Sequence, residues 1–143
     1  MINTQILKEK FNIDFLGDKV IVNDNLLEVL DFLKNTAEFS YEVLTSMIAV
    51  DLKDNIEIIY QLYSVSNNLT LNISYFTEYN RPVPSVTGIF KSAYFDECEI
   101  FDLFGVKFEG NKNLKRILLP ESWIGHPLLK SYTQEDVRLS WNE

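Results

Sequence analysis

Four acidic side chains lie within seven residues, and they are the first candidates for chemistry in this sequence. They are Asp96, Glu97, Glu99 and Asp102. Paired carboxylates can act as general acid and general base, so a small stand-alone hydrolase or isomerase using Glu97, Glu99 and Asp102 is one hypothesis. A second is a solvated face with one core carboxylate bound to Arg81, Arg116 or a backbone amide. A third is contact between these acids and basic groups of a partner chain.

Apolar residues recur around the acidic cluster with helical spacing and predict a long helix over residues 85–104. The residues on one face of it are Val86, Phe90, Ala93, Ile100 and Phe104. Glu97 falls on the same face at about 100° per residue. A carboxylate there is costly unless it is paired or hydrogen-bonded. Gly105 follows at the position where glycine commonly ends a helix.

The chain has one cysteine and one histidine. This excludes a disulfide within the chain and an iron–sulfur cluster held by this chain alone. A zinc site would need carboxylates for most of its ligands. We expect Cys98, between two acids, to be structural. We expect His126, in a Gly-His-Pro sequence, to be a turn histidine bonded to backbone, with proton transfer or partner contact as alternatives.

Length and charge define the general class of protein. The chain has 143 residues, which fits one domain, and a net charge of -8. This charge argues against nucleic acid as a partner, because phosphate binding needs a clustered positive surface. The sequence contains no signal peptide and no run of about 18 apolar residues, so we expect a cytoplasmic protein with no direct membrane span.

The remaining pattern predicts an α+β fold, in which a small antiparallel sheet is covered on one face by two helices. An amphipathic helix is predicted at 25–37, with a capping box between Asn25 and Glu28. The strands are predicted at 20–22, 43–50, 56–65 and 69–76, the last three as an antiparallel meander.

After Gly110 the periodic pattern stops. Residues 111–143 contain many apolar side chains without a period of 2 or 3.6. Such a segment is unusual inside a compact domain. We therefore predict an α+β domain over 1–110 and an extended aperiodic C-terminal arm over 111–143, which lies on its own domain or on a partner subunit.

Three motifs resemble the 30 kDa subunit family of respiratory complex I, also called the C subunit of bacterial NADH–quinone oxidoreductase. They are DECEIFDLFGV at 96–106, LKRILLP at 114–120 and WIGHPLLK at 123–130. The family signature reads approximately E-R-E-x-x-D-x-F-G-I, then L-R-R-I-L, then G-H-P-L-R-K-D-Y. The homologous subunit of energy-converting membrane-bound nickel–iron hydrogenases belongs to the same family.

The resemblance implies a cofactor-free, non-catalytic subunit in the peripheral arm of an ion-translocating oxidoreductase. It would brace a hydrogenase-like large subunit and iron–sulfur subunits, at the inner face of the cell membrane. Iron–sulfur clusters, with nickel–iron or flavin as further options, would reside in these partners. The implied partner interface comprises Glu97, Glu99, Asp102, Gly105, Arg116, Pro120, Trp123, Gly125, His126, Pro127 and Lys130.

The sequence also departs from the signature. Cys98 replaces an arginine, Asn111-Lys112 replaces His-Pro, Leu129 replaces an arginine and Ser131 replaces an aspartate. These changes leave the electron donor and acceptor open between the NADH–quinone branch and the hydrogenase branch. An interaction module of unrelated function is the remaining alternative.

Overall fold

A computed structural model describes residues 3–133 of the chain. Within these residues the helices are α1 (Thr4–Lys10), α2 (Leu26–Asn35) and α3 (Ala93–Phe104). The strands are β1 (Ile13–Leu16), β2 (Lys19–Val22), β3 (Val43–Asp51), β4 (Ile56–Ser64), β5 (Leu69–Thr77), β6 (Val83–Pro84) and β7 (Phe108–Glu109). The predicted α+β class is confirmed. α1 and β1 are additional elements, too short to show a clear period in the sequence.

Five strands form one sheet in the order β1-β2-β5-β4-β3. The predicted meander of β3, β4 and β5 is confirmed, with antiparallel pairing at both junctions. The pair β2–β5 is parallel, with Val20 opposite Ile73, so the sheet is mixed rather than wholly antiparallel. The connection from β2 to β5 contains a helix and two strands, which is ample for the crossover that a parallel pair needs.

The core lies on the sheet face that α2 and α3 cover, here called the inner face. Ile58, Tyr60 and Ile73 of this face are fully buried. The predicted apolar side of α2 is confirmed, because Leu26, Val29, Leu30 and Leu33 all join the same core. The predicted capping box is wrong: Asn25 has a left-handed backbone (φ 59°) and its side chain makes no cap hydrogen bond.

The predicted helix over 85–104 begins only at Ala93, so its first eight residues are a correction. The preceding segment is diverted by a short parallel pair, β6 with β7, and Ser85 donates its N–H to the carbonyl of Glu109 (2.8 Å). A separate turn, closed by the Phe90 N–H on the Val86 carbonyl (2.8 Å), buries Val86 and Phe90. The apolar spacing therefore continues through a turn that is not part of the helix.

Residues 111–133 of the predicted arm contain turns and bends but no helix or strand. Leu114 and Leu129 are partly buried against the core, so this part of the arm lies on its own domain. The predicted division into domains at residue 110 stays a prediction. Residues 134–143 of the arm lie outside the described residues.

Candidate functional site

The site is built around the C-terminal end of α3. Gly105 ends the helix with a φ of 75°, and its N–H donates to the carbonyl of Phe101 (2.9 Å). Glycine adopts this left-handed conformation without the steric cost that a Cβ imposes. The chain then reverses, and the first part of the arm returns across the helix end.

Asp102, in the last turn of α3, organises the returning chain. Its side chain is fully buried. Oδ2 accepts hydrogen bonds from the N–H groups of Ile117 (3.2 Å), Leu118 (2.8 Å) and Leu119 (3.0 Å), and Oδ1 accepts one from Arg116 Nη1 (2.8 Å). Burial raises the pKa of Asp102, but these hydrogen bonds outweigh it and hold the pKa below its ordinary value. The carboxylate is therefore the centre around which residues 116–119 fold.

Arg116 connects the helix end to a second part of the arm. Besides Asp102 Oδ1, its Nη1 donates to the Asp102 carbonyl oxygen (3.0 Å), and Nη2 donates to the Gly125 carbonyl oxygen (2.8 Å). A planar guanidinium suits this task, since it donates several bonds in fixed directions. A cation is also favourable at the C-terminal end of a helix dipole.

His126 packs directly on the end of the helix. Its Nδ1 lies 2.9 Å from the Asp102 carbonyl oxygen, so the predicted turn histidine bonded to backbone is confirmed. A Cβ on Gly105 would lie 2.6 Å from His126 Cδ2. The Leu128 N–H donates to the Leu103 carbonyl (3.0 Å). Glycine at position 105 is therefore needed for two reasons, the backbone conformation and the space that the imidazole ring fills.

Gly105→Ala is expected to lower the free energy of unfolding by about 2 kcal/mol, from the left-handed backbone and the clash with His126. Urea denaturation of the purified chain measures this. Gly88→Ala is the matched control, because a Cβ there would meet no atom within 4 Å. Its effect should stay within about 0.5 kcal/mol. Equal shifts for the two variants would contradict the packing role of Gly105.

Glu97 is the centre of a second buried network, one turn earlier on α3. Its oxygens accept hydrogen bonds from Ser85 Oγ (2.8 Å), the Val86 N–H (2.7 Å) and Asn111 Nδ2 (2.9 Å). Burial raises the pKa of Glu97 above its ordinary value, although the hydrogen bonds act in the opposite direction. Glu97 thereby joins α3 to the loop before it and to the start of the arm.

The acidic cluster therefore does not act as one unit. Glu97 and Asp102 are buried and bind different segments, whereas Glu99 is exposed. The expectation that these acids are unpaired within the chain is wrong for Glu97 and Asp102. Each is committed to three or more donors, an arrangement suited to holding backbone in place rather than to exchanging protons with a substrate. Cys98 is buried, with Sγ 4.0 Å from the Asn113 carbonyl oxygen.

Most other residues predicted for a partner interface meet in this region. Pro120 and Lys130 are exposed, as Glu99 is; the half-buried members are Gly105, Arg116, Trp123, Gly125, His126 and Pro127. Contact of these residues with a partner stays a prediction.

Sequence reasoning missed Asp51, at the end of β3. Its carboxylate accepts the Lys130 N–H (2.8 Å), the Lys53 N–H (2.9 Å) and the Tyr79 hydroxyl. The bond to Asp51 raises the pKa of Tyr79 to about 12. The available signal was an aspartate that ends an apolar strand just before a polar turn, a common place for side chain to backbone bonds. Asp51 fixes the distal end of the described arm.

Between its fixed points the arm exposes apolar side chains. Ile124 is 84% exposed and Leu118 61%, and Ile117 and Leu128 are also exposed. We call these four residues the arm surface. Within residues 3–133 no three His, Cys, Asp or Glu side chains come together as ligands for a metal ion. Among the same residues, no helix combines the length and hydrophobicity that a membrane crossing requires.

This fold and these motifs occur together in known proteins. The model of a family described as "Respiratory-chain NADH dehydrogenase, 30 Kd subunit" matches residues 20–138, and the chain belongs to this family. It is 35% identical over 138 residues to the C subunit of the NADH-quinone oxidoreductase of Roseiflexus sp. (strain RS-1), which covers 91% of this chain and 79% of that protein. It is 34% identical over 142 residues to the C/D subunit of the same kind of enzyme in Buchnera aphidicola subsp. Cinara cedri, covering 88% of this chain and 24% of that protein.

Two solved structures share the fold. A trypsin-resistant fragment of Nqo5 gives a TM-score of 0.56 at 23% identity, covering 78% of this chain and 98% of that one. A chain of the membrane-bound sulfane sulfur reductase, an archaeal respiratory membrane complex, gives 0.64 at 24% identity, covering 82% and 76%. At these identities the likeness establishes the α+β fold alone.

Proposed function

We propose that the chain is a cofactor-free subunit in the peripheral arm of a complex I-like oxidoreductase, where it braces the hydrogenase-like large subunit and the iron–sulfur subunits. One observation carries the proposal: two buried carboxylates, Asp102 and Asp51, hold a segment without helix or strand in place while its apolar side chains stay exposed. Contiguous exposed apolar residues commonly mark protein–protein contacts.

The arm surface has the character of a docking site rather than of a loosely packed loop. Arg116 and Asp102 form an ion pair whose side chains are 12% and 0% exposed, so the backbone beneath the surface is anchored in the interior. The apolar side chains on it face away from those anchors. Energetically important interface residues tend to be well positioned and to lose water on binding.

The name of the Buchnera relative supports the choice of the large subunit as partner. That protein is a single chain whose name joins the letters C and D, and this chain matches 24% of it. A chain that joins both parts keeps them close together. In the proposed arrangement, the D part is the hydrogenase-like large subunit.

In this arrangement the redox centres lie in partner subunits. The only cysteine and the only histidine of the chain contact backbone oxygens of the chain itself, Cys98 near Asn113 and His126 at Asp102. The relatives at 34–38% identity are named as NADH–quinone or NADH–ubiquinone oxidoreductase subunits, which supports this branch over the hydrogenase branch. The chain would then lie at the inner, cytoplasmic face of the cell membrane through its complex.

The test is co-expression with the large subunit encoded in the same genome. Leu118→Asp and Ile124→Asp are each expected to lower the amount of co-purified large subunit at least tenfold, because each places a charge in an apolar contact. Val65→Asp, at a 62% exposed apolar residue on the β4–β5 turn, is the matched control and should change it less than twofold. Melting temperatures of the isolated variants should match the parent, since all three positions are exposed.

Undiminished co-purification of both arm variants would refute the arm surface as the contact. Stoichiometric iron, nickel or flavin in the isolated chain would refute the cofactor-free role. Point variants are preferable to removal of residues 111–143. A truncated chain loses Arg116 and leaves Asp102 buried without its partner, so it would lose stability as well as the surface.

A further inference from the structure

We propose that the outer face of the sheet, opposite α2 and α3, receives an arginine or lysine side chain that a partner subunit presents among aliphatic residues, with Glu57 as its acceptor. This inference rests on the proposed function, since it assumes that the chain is a subunit of a larger complex. It concerns a different contact area from the arm surface, which lies at the end of α3 on the inner side of the sheet.

The outer face carries an apolar patch at the β3 side of the sheet. Ile48 lies opposite Ile59, and Val50 and Phe76 flank Glu57 on the two neighbouring strands. Ile48, Val50 and Phe76 are between 36% and 52% exposed. None of these four apolar residues belongs to the core cluster or packs against it within residues 3–133. The patch is therefore uncovered in the isolated chain.

Glu57 lies at the centre of this patch and has one unused oxygen. Oε1 accepts the Ser74 hydroxyl (2.7 Å) and the Lys19 ammonium (3.2 Å). Oε2 accepts no hydrogen bond from the described residues and is not one of their fully enclosed polar atoms. The side chain is only 12% exposed, and Ser74 fixes its orientation from below. A carboxylate oxygen held in place within apolar surroundings is a directional acceptor for a cation.

Charge selects the occupant. A second copy of this chain, docked by the same face about a twofold axis, would bring two Glu57 carboxylates towards each other and two chains of net charge -8 together. An anionic membrane surface would meet the same repulsion. A partner residue with an aliphatic stem and a cationic head satisfies both parts of the site, and arginine does so best because its guanidinium can bond a carboxylate in fixed geometry.

The experiment uses the chain co-expressed with the other subunits of its complex. A photo-crosslinking amino acid at position 48 is expected to join the chain to another subunit, at a peptide that contains arginine or lysine next to aliphatic residues. Glu57→Lys is expected to lower the yield of assembled complex at least tenfold, and reversing the charge of the crosslinked basic residue should restore it. Glu28→Lys, at an exposed acid on α2, is the matched control and should change the yield less than twofold.

Three results would overturn the inference: a crosslink to a second copy of the chain, a crosslinked peptide without a basic residue, or no crosslink from position 48 in the assembled complex. If the large subunit still co-purifies and depends on Leu118 and Ile124, only the outer-face contact is refuted. If no subunit co-purifies with the parent chain, the proposed function fails as well. Circular dichroism and melting temperature of Glu57→Lys separate loss of contact from loss of fold.

Discussion

Asp102→Asn is expected to lower the free energy of unfolding by about 3–5 kcal/mol, the cost typical of breaking a buried ion pair by removing one partner. The amide has one acceptor oxygen, whereas Arg116 and three backbone N–H groups all approach the carboxylate as donors. Its NH₂ group would therefore face a donor on one side or the other. Urea denaturation at neutral pH measures the difference.

The effect of Asp102→Asn should also depend on pH. The pKa of Asp102 is lowered in the folded chain from an ordinary value of 3.8, so its stabilising contribution is present above that value. It is lost as the pH falls through the lower, folded pKa, and the difference between parent and variant should shrink there. Glu99→Gln, at an exposed acid on the same helix, should change stability by less than about 0.5 kcal/mol. A loss below about 1 kcal/mol for Asp102→Asn would contradict the role of Asp102 as the centre of the fold around 116–119.

Glu97→Ala is expected to lower the free energy of unfolding by about 3 kcal/mol, because it leaves a cavity and strands buried donors on Ser85, Val86 and Asn111. Thermal denaturation followed by circular dichroism measures it. Glu109→Ala, at an exposed glutamate of β7, is the control and should have little effect.

The pH dependence of Glu97 has the opposite sign to that of Asp102. Its pKa is raised in the folded chain above the ordinary 4.5, so protonation favours the folded state. Its contribution is fully present below pH 4.5 and falls as the pH rises through the raised, folded pKa. The loss caused by Glu97→Ala should therefore be larger in mild acid than at high pH. A loss that grows steadily from acid to alkaline pH would show that Glu97 is held as a carboxylate throughout.

Much of the fold could be predicted because its strands and α2 have a regular period. The alternation in β5 and the apolar side of α2 follow directly from the geometry of strands and helices. The beginning of α3 could not be predicted in this way. Val86 and Phe90 have helical spacing relative to Ala93, but a two-residue parallel pair far apart in sequence, β6 with β7, diverts the chain between them.

The site was predictable in its demands rather than in its contacts. An acidic residue among apolar positions indicated that Glu97 needs buried partners, and a backbone amide is one of them. Ser85 and Asn111 were not predictable as the others, because their positions depend on the β6–β7 pair. Asp51 was missed since it is 79 residues from its partner Lys130, and no local pattern reports such a distance.

The attachment of the arm to α3 also bears on how fast and how tightly a partner can bind. A segment that orders only on binding loses roughly 1–2 kcal/mol of backbone conformational entropy per residue at that moment. Here Asp102, Arg116 and His126 order residues 116–128 when the subunit itself folds, so this loss belongs to folding and not to assembly. The encounter with the large subunit is then a docking of two formed surfaces, for which association rates of about 10⁵–10⁷ M⁻¹s⁻¹ are typical.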